Sequence, residues 1–484
     1  MGIRALSASG SWRLGVPALA FLITGGSGEL MAQYDKVAAL GSDTSITPIG
    51  GPASAPPLLS TPYNAPDTRP TGMLNDHLPK WIQFGVEERF RFEGYTNSGF
   101  KPGNNDSYML NRFRLGMILK PVNWFTVYSQ VQDARPFLQK PPIGPPNENR
   151  WDLKLAYAEI GNPESSPITV RVGRQEIDYN NTIIANSEWR NQGRAYDGVV
   201  TNIHVDRFRV GLFAASVVSP LAEGISHHQE GNNIYGFYGG VDRVLPHSAI
   251  EPFVLWRVAP SVAVEDIPHV KTGHESEEAY GFRVRGKEIK GLDYRTEFVW
   301  ERGSVGPNSI DAWATTEGLG YSLSNIPLKP RFFTGYDWAS GDKNPKDGVR
   351  NTFDTMYPTA HDRFGITDQF GWQNIIAGRV GGTLQPFNRW SVTAQYLDFW
   401  LASDTDGIYN TSGGLIARDT TGKSGSHVGT EFDIYTWYEI NREVHAGVGI
   451  GHLFPGQFLA SVTKGAAYTY PYFAIEFLDG KRVH

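Results

Sequence analysis

The chain has 484 residues, 40% of them hydrophobic, and a mean hydropathy of −0.34, which excludes a bundle of membrane-spanning helices. A formal charge of −6 supplies no basic excess for nucleic acid, and the absence of cysteine removes any disulfide framework. Aromatics at 13% and 54 glycines suit a sheet protein with aromatic girdles and many turns.

In chain order, the first feature is an export signal. Arg4 and Arg13 supply positive charge, Leu14 to Ile23 form a short apolar core, and small residues follow, so 1–32 read as a signal peptide cleaved near Ala32. Residues 33–79 are rich in Pro, Ser, Thr, Gly and Ala. Pro48, Pro52, Pro56, Pro57, Pro62, Pro66 and Pro70 interrupt any strand or helix, and a flexible segment is expected, either a periplasmic tail or a partial plug. Residues 80–484 form the third unit.

Its character changes at Trp81. Ile82, Phe84, Val86, Phe90 and Phe92 share one parity, while Gln83, Glu87, Arg89, Arg91 and Glu93 share the other. A period of two over this length means a strand with one apolar and one strongly polar face. Met109, Phe113, Leu115, Met117 and Leu119 then oppose Arg112, Arg114 and Lys120, and Phe125, Val127 and Val131 oppose Thr126, Gln130 and Gln132. The pattern continues with Ile168, Val170 and Val172 against Thr169 and Arg171, and with Phe208, Val210 and Leu212 against Arg207 and Arg209. Further on, Tyr280, Phe282 and Val284 oppose Arg283 and Arg285; Leu292, Tyr294, Phe298 and Trp300 oppose Asp293, Arg295 and Glu297. Phe332, Tyr336 and Trp338 oppose Arg331 and Asp337, and late in the chain Val428, Phe432, Ile434 and Tyr438 oppose Glu431, Asp433 and Glu439. The fold class is all-β: a transmembrane antiparallel barrel of about 18 strands.

Tight turns such as Lys120–Asn123 and Ile440–Glu443 alternate with long polar stretches at Pro136–Trp151, Gln175–Tyr196, Gly341–Gln373 and Ala402–Ser426. Short turns facing the periplasm and long loops facing outward are the barrel pattern. A soluble sandwich or propeller would also alternate. The aromatic residues near strand ends, Trp81, Tyr95, Trp124, Trp256, Trp300, Trp338, Trp390, Trp400 and Trp437, favour the lipid–water boundary instead.

Three blocks carry a family resemblance. The first is Gly173-Arg174-Gln175-Glu176, followed by Glu188-Trp189-Arg190-Asn191 and Gly193-Arg194-Ala195-Tyr196-Asp197-Gly198. The second is Ala339-Ser340-Gly341-Asp342-Lys343-Asn344-Pro345, with Thr352-Phe353-Asp354, Tyr357-Pro358-Thr359-Ala360-His361 and Gln373-Asn374. The third runs from Gly429-Thr430-Glu431-Phe432-Asp433 to Gly451-His452-Leu453-Phe454-Pro455-Gly456. From Trp81 onward the chain resembles the bacterial alginate export family of outer-membrane barrels. It departs at Asp178-Tyr179-Asn180-Asn181, where the family usually has a Gly-rich turn. The resemblance implies a monomer whose lumen is lined with arginines and narrowed by inward-folded loops, through which an anionic polysaccharide passes as an extended chain.

Assigned to the lumen face are Arg89, Arg91, Arg112, Arg114, Arg171, Arg174, Arg209, Arg283, Arg285, Arg295, Arg331 and Arg379. Guanidinium forks bind carboxylates at two points and keep their charge. A ladder of them passes a polyuronate along if each contact releases it. The bland reading pairs them with Glu87, Glu93, Asp293, Glu297, Glu431 and Asp433 to brace a hydrated wall. Arg174 and Arg194, with Glu176 and Asp197 nearby, are the leading candidates for the solute path. Asp342, Asn344 and Asp347 have the oxygen types of a calcium loop, but not its alternate-residue spacing, and turn formation is the simpler reading. His227-His228 is a weaker metal candidate because adjacent histidines diverge.

No Gly-x-Ser-x-Gly or His-Glu-x-x-His motif occurs. Glu188 and Asp197 are carboxylates of the kind a glycosidase pairs, but nothing in the sequence places them together. No cofactor and no active site are expected. The sequence therefore reads as a channel for an anionic solute, a polysaccharide such as alginate or a related polyuronate, with outer-membrane lipid and a periplasmic export scaffold as partners. The alternatives are a general porin for small organic acids or sugars and, less well supported, a carbohydrate-active enzyme.

Overall fold

An alternating strand is stable in a bilayer only when its apolar face meets lipid and every backbone group pairs with a neighbour. In the computed structural model the described residues are 70–479, apart from 144–145, 164, 180–181, 245–246, 264–271, 359–360, 362 and 442. The export signal, most of the Pro-rich segment, and Asn180, Asn181, Thr359 and Ala360 lie outside the described residues.

The first strands are β1 (Ile82–Tyr95), β2 (Asp106–Val122), β3 (Phe125–Phe137), β4 (Asn149–Ile160), β5 (Ile168–Gln175), β6 (Tyr196–Val205) and β7 (Phe208–Ser219). There follow β8 (His227–Asp242), β9 (Ser248–Ala263), β10 (Thr272–Ile289), β11 (Leu292–Val305), β12 (Asn308–Ser322), β13 (Arg331–Ala339) and the short β14 (Val349–Arg350). The last are β15 (Ile375–Phe387), β16 (Trp390–Leu401), the small hairpin of β17 (Gly407–Tyr409) and β18 (Leu415–Arg418), β19 (His427–Glu439), β20 (Val444–Pro455) and β21 (Tyr468–Asp479). Neighbours pair antiparallel around the ring, and β21 returns to β1 with Phe92 opposite Phe473. Without β14, which adds in parallel to β12, the sheet closes as an 18-stranded antiparallel barrel. Closure leaves the barrel itself without an edge strand among the described residues.

The alternation becomes two faces. Phe282 is 44% exposed and Arg283 3%; Phe432 is 48% exposed and Glu431 0%. The exposed set is the lipid face. On it, Tyr235 pairs with Trp256, and Tyr280, Trp300 and Trp313 stand in one register row across three strands. Trp81, Trp124 and the stacked Phe387–Trp390 pair lie toward the opposite end.

Three expected lipid-side residues turn inward, the first being Tyr95, which has the parity of Arg91 and Glu93 and stacks on the buried Tyr468. Val428 is fully buried because Phe399 pairs with Gly429 and Trp400 with His427, leaving Val428 as the extra residue of a bulge. Trp437 shares the parity of Glu431 and Asp433 and is likewise buried, so it belongs to the lumen and not to a girdle. The Pro-rich segment also differs from expectation at its end: Pro70–Asp76 form the helix α1. Proline is tolerated at a first helical position because the missing N–H has no partner there anyway. The Asn75 side chain bonds both N and O of Phe84, tying this helix to β1.

Turns between β2 and β3, β6 and β7, and β15 and β16 are two residues long and lie at the end holding Ile82 and Asp479. The long connections predicted from the sequence all lie at the other end. Two of them, 176–195 and 340–374, turn into the barrel. Ile183, Ile184, Phe353, Phe364, Phe370 and Trp372 are buried there against wall residues such as Leu255, Val299 and Phe399. Each such side chain contributes about 1.5–3 kcal/mol to holding the two connections inside.

Candidate functional site

The site begins with the pairing of β1 and β2. Glu87 stands opposite Arg114 and Arg89 opposite Arg112, with Arg91 next on the same face. Period two and this register collect four guanidiniums on one patch of the lumen wall. Like charges so close need acceptors, and most come from one place: the tip of the 176–195 connection. Arg89 donates to the carbonyls of Glu188 at 2.9 Å and Arg190 at 3.0 Å, and Arg91 donates to Trp189 O. Arg112 donates to Glu188 O at 3.1 Å, and Arg114 reaches the Glu188 carboxylate at 2.8 Å. Glu87, Glu93 and, at 3.9 Å from Arg89, Glu476 supply further negative charge nearby.

The tip is held from its other side by the 340–374 connection. Ile184 and Tyr357 form a parallel bridge, with Ala185 N donating to Tyr357 O and Tyr357 N to Ile183 O, both at 3.0 Å. Arg194 clamps the crossing: its Nη1 donates to Ala185 O at 2.7 Å and to Tyr357 O at 2.6 Å. Trp189 lies between the Arg91 guanidinium, 4.1 Å from its ring, and His361, stacked at 4.0 Å. Tyr179, where the sequence departs from the family, inserts in a ring stack with Phe213 and Tyr238, and its carbonyl accepts from Arg283.

Elsewhere in the lumen the arginines meet carboxylates of the wall itself. Arg209 is shared by Asp242 and Glu251 at 2.9 and 2.8 Å, and Glu251 also holds Arg283 and Arg285 at 2.7 and 2.9 Å. Arg331 pairs with Asp293 at 2.7 Å and Arg171 with Glu159 at 2.9 Å. Arg295 stands opposite Arg285, and Arg379 lies over Phe333.

The model of the alginate export family matches residues 80–471. The chain belongs to that family. Among solved structures it is similar to the outer membrane protein OpdK of Pseudomonas aeruginosa, with a TM-score of 0.55 at 8% identity, covering 82% of this chain and 98% of that one. OpdQ and OpdO of the same organism are similar too. OpdQ gives 0.55 at 10% identity over 82% and 98% of the two chains, and OpdO gives 0.54 at 11% over 84% and 98%. At such identities the likeness is one of fold alone. No curated protein matches the sequence. Family and fold make this chain an outer-membrane channel of a Gram-negative bacterium, and not an enzyme.

Within this alginate export barrel, the expected site residues divide. Arg89, Arg91, Arg112 and Arg114 come together as one seat. Arg194 is near it, but as a clamp between connections. Arg174 needs correction: it has the parity of Val172, not of Arg171, and its guanidinium closes on Asp197 at 2.8 and 2.9 Å beside His228. That pair belongs to the rim of the wall. Glu176 faces Lys154 at 3.7 Å. Glu188 and Asp197, considered as a hydrolytic pair, serve different arginines.

Asp342 and Asp347 accept from the backbone N–H groups of Asn344 and Val349, both at 2.9 Å, which is the turn-forming role. Burial pushes the Asp342 carboxyl above its ordinary value. Sequence reasoning missed Arg257 and Arg350, which join Glu275, Glu277 and Asp354 in a buried ion network. The carboxylate oxygens of those three acids lie within 4.8 Å of one another, and the two guanidiniums neutralise two of the three charges. Burial alone would raise the Asp354 carboxyl, but Arg257 and Arg350 outweigh it and hold it at about 2. Period two marks Arg257 on β9; Arg350 and Asp354 carry no such signal because they lie outside the barrel strands.

Proposed function

We propose that this channel passes an anionic solute, a polyuronate such as alginate or a related acidic polysaccharide, along its arginine-bearing lumen. One observation carries the reading: four guanidiniums share a patch of the wall, and most of their acceptors come from a connection rather than from neighbouring strands. Guanidinium forks bind a carboxylate in two-point fashion. Family membership supports the same cargo class. A passive pore of this kind takes its direction from supply, so an exporter would receive polymer from a periplasmic scaffold. A monomeric barrel suffices for the path.

A second reading, a general porin for small organic acids or sugars, draws on a different observation. Arg171, Arg209, Arg283, Arg285 and Arg331 are paired with wall carboxylates, as expected of a braced, hydrated interior. Single-channel conductance in a planar bilayer under a salt gradient, with and without oligouronates, separates the two. An anion-selective pore blocked by the oligomers supports passage of polyuronate. A weakly selective pore indifferent to them supports the general porin.

A further inference from the structure

The tip of the 176–195 connection offers the arginine seat a particular set of acceptors. There is one carboxylate, that of Glu188, flanked by four neutral oxygens, the carbonyls of Glu188, Trp189, Arg190 and Gln192. A uronate residue presents the same chemistry, a carboxylate among hydroxyl and ether oxygens. We propose that Glu188 is an internal stand-in for the cargo's carboxylate, and that Arg112 and Arg114 form the carboxylate subsite, held by the protein's own acid until the tip is displaced. This rests on the anionic-cargo reading and narrows it to one subsite.

The geometry separates Glu188 from the other acids of the lumen. Arg114 grips both of its oxygens, at 2.8 and 3.4 Å, and Arg112 adds a contact at 3.2 Å. The two arginine side chains are only 4% and 1% exposed, whereas that of Glu188 is 25% exposed. Solvent and solute therefore meet the acid first. Glu87 also touches both arginines, but it is part of β1 and stays when the tip moves.

Gly193 preserves the arrangement. Its φ of +67° lies in the left-handed region, and a Cβ there would come 2.8 Å from Glu188 Oε1, 3.0 Å from Lys154 Nζ and 3.2 Å from Arg114 Nη2.

The physical benefit is that the seat is never empty. Baring buried guanidiniums would cost several kcal/mol each. Exchanging one carboxylate for another keeps the same charge-assisted hydrogen bonds throughout. Entry of an anion is thereby a competition of like with like, and a neutral sugar has no equivalent group to offer.

The test uses the full chain in planar bilayers, wild type beside Glu188→Gln, with a tetramer of galacturonate as blocker. The variant is expected to show a shift of reversal potential toward anions and block at about tenfold lower oligomer concentration, one step of affinity on the logarithmic scale. Adding Arg114→Gln to the variant should abolish that gain. Equal block of wild type and variant, in a pore that prefers anions, overturns the stand-in alone. A wild-type pore without anion preference overturns the cargo reading beneath it. If Glu188→Gln fails to assemble, Gly193→Ala serves: it keeps every charge but crowds the carboxylate, and should tighten block in the same direction. Unchanged block in that variant also overturns the proposal.

Discussion

Two groups of arginines share this lumen, and their partners differ in kind. Arg209, Arg285 and Arg331 are held by carboxylates of the barrel strands themselves, which cannot leave while the sheet is paired. Arg89, Arg91, Arg112 and Arg114 are held largely by the tip of an inward connection, which stands outside the barrel's ladder. Identical side chains thus brace the wall in one region and hold an inward connection in the other. What distinguishes them is whether the acceptor shares the backbone ladder of the donor.

The sharpest break of that contrast is at Glu251. Glu251→Ala removes one acid from three buried arginines, and is expected to cost about 3–5 kcal/mol by leaving uncompensated charge; heat-modifiability of the assembled barrel on gels would show the loss. Replacing Glu188, whose partners keep Glu87, should cost far less.

The outer face provides a second probe. Phe282→Arg puts a cation into lipid and should impair assembly by about 2–4 kcal/mol near the midplane. Normal refolding into vesicles would contradict the orientation of β10.

Arg194→Ala unclamps the crossing of the two connections. Charged donors lost from the carbonyls of Ala185, Tyr357 and Pro358 cost about 1.5–3 kcal/mol each at most, and the effect should be local: faster hydrogen exchange at Ala185 and Tyr357 with strand protection unchanged. Uniform loosening of the barrel would contradict it.

The pH response of the neighbouring network follows from Asp354. Its carboxyl is held at about 2, below the unfolded value near 4, so its stabilising contribution is complete above pH about 4 and is lost as pH falls toward 2. Protection factors at Asp354 and Met356, which are exchange rates corrected for their intrinsic pH dependence, should therefore fall as pH drops from about 4 toward 2. The smallest effect is expected at the rim. Arg174→Gln, on the parity of Val172 and paired with Asp197, should leave the reversal potential unchanged and cost about 0.2–1 kcal/mol.

The barrel was legible in the sequence because period two survives in nearly every strand, and because arginines on one parity and phenylalanines on the other leave one way to orient a strand in lipid. It failed at Val428, where a bulge inserts one residue, and at Trp437, where residue type suggested a girdle that parity denies. The seat was half legible. Arg89, Arg91, Arg112 and Arg114 stand out by alternation, but their partner Glu188 lies 74 positions from Arg114, in a connection without any period. Arg174 attracted notice through its motif, although counting from Val172 places it on the other face. The inward course of 176–195 and 340–374 depends on apolar residues such as Ile183 and Trp372, scattered among turn formers in a way that no local pattern reveals.

The most direct test of the contrast between the two arginine groups is the reversal potential under a salt gradient, measured for wild type, Arg114→Gln and Arg331→Gln. Loss of anion preference in Arg114→Gln, with preference kept in Arg331→Gln, is the predicted result. Equal loss in both variants, or none in either, would contradict a binding seat distinct from the wall.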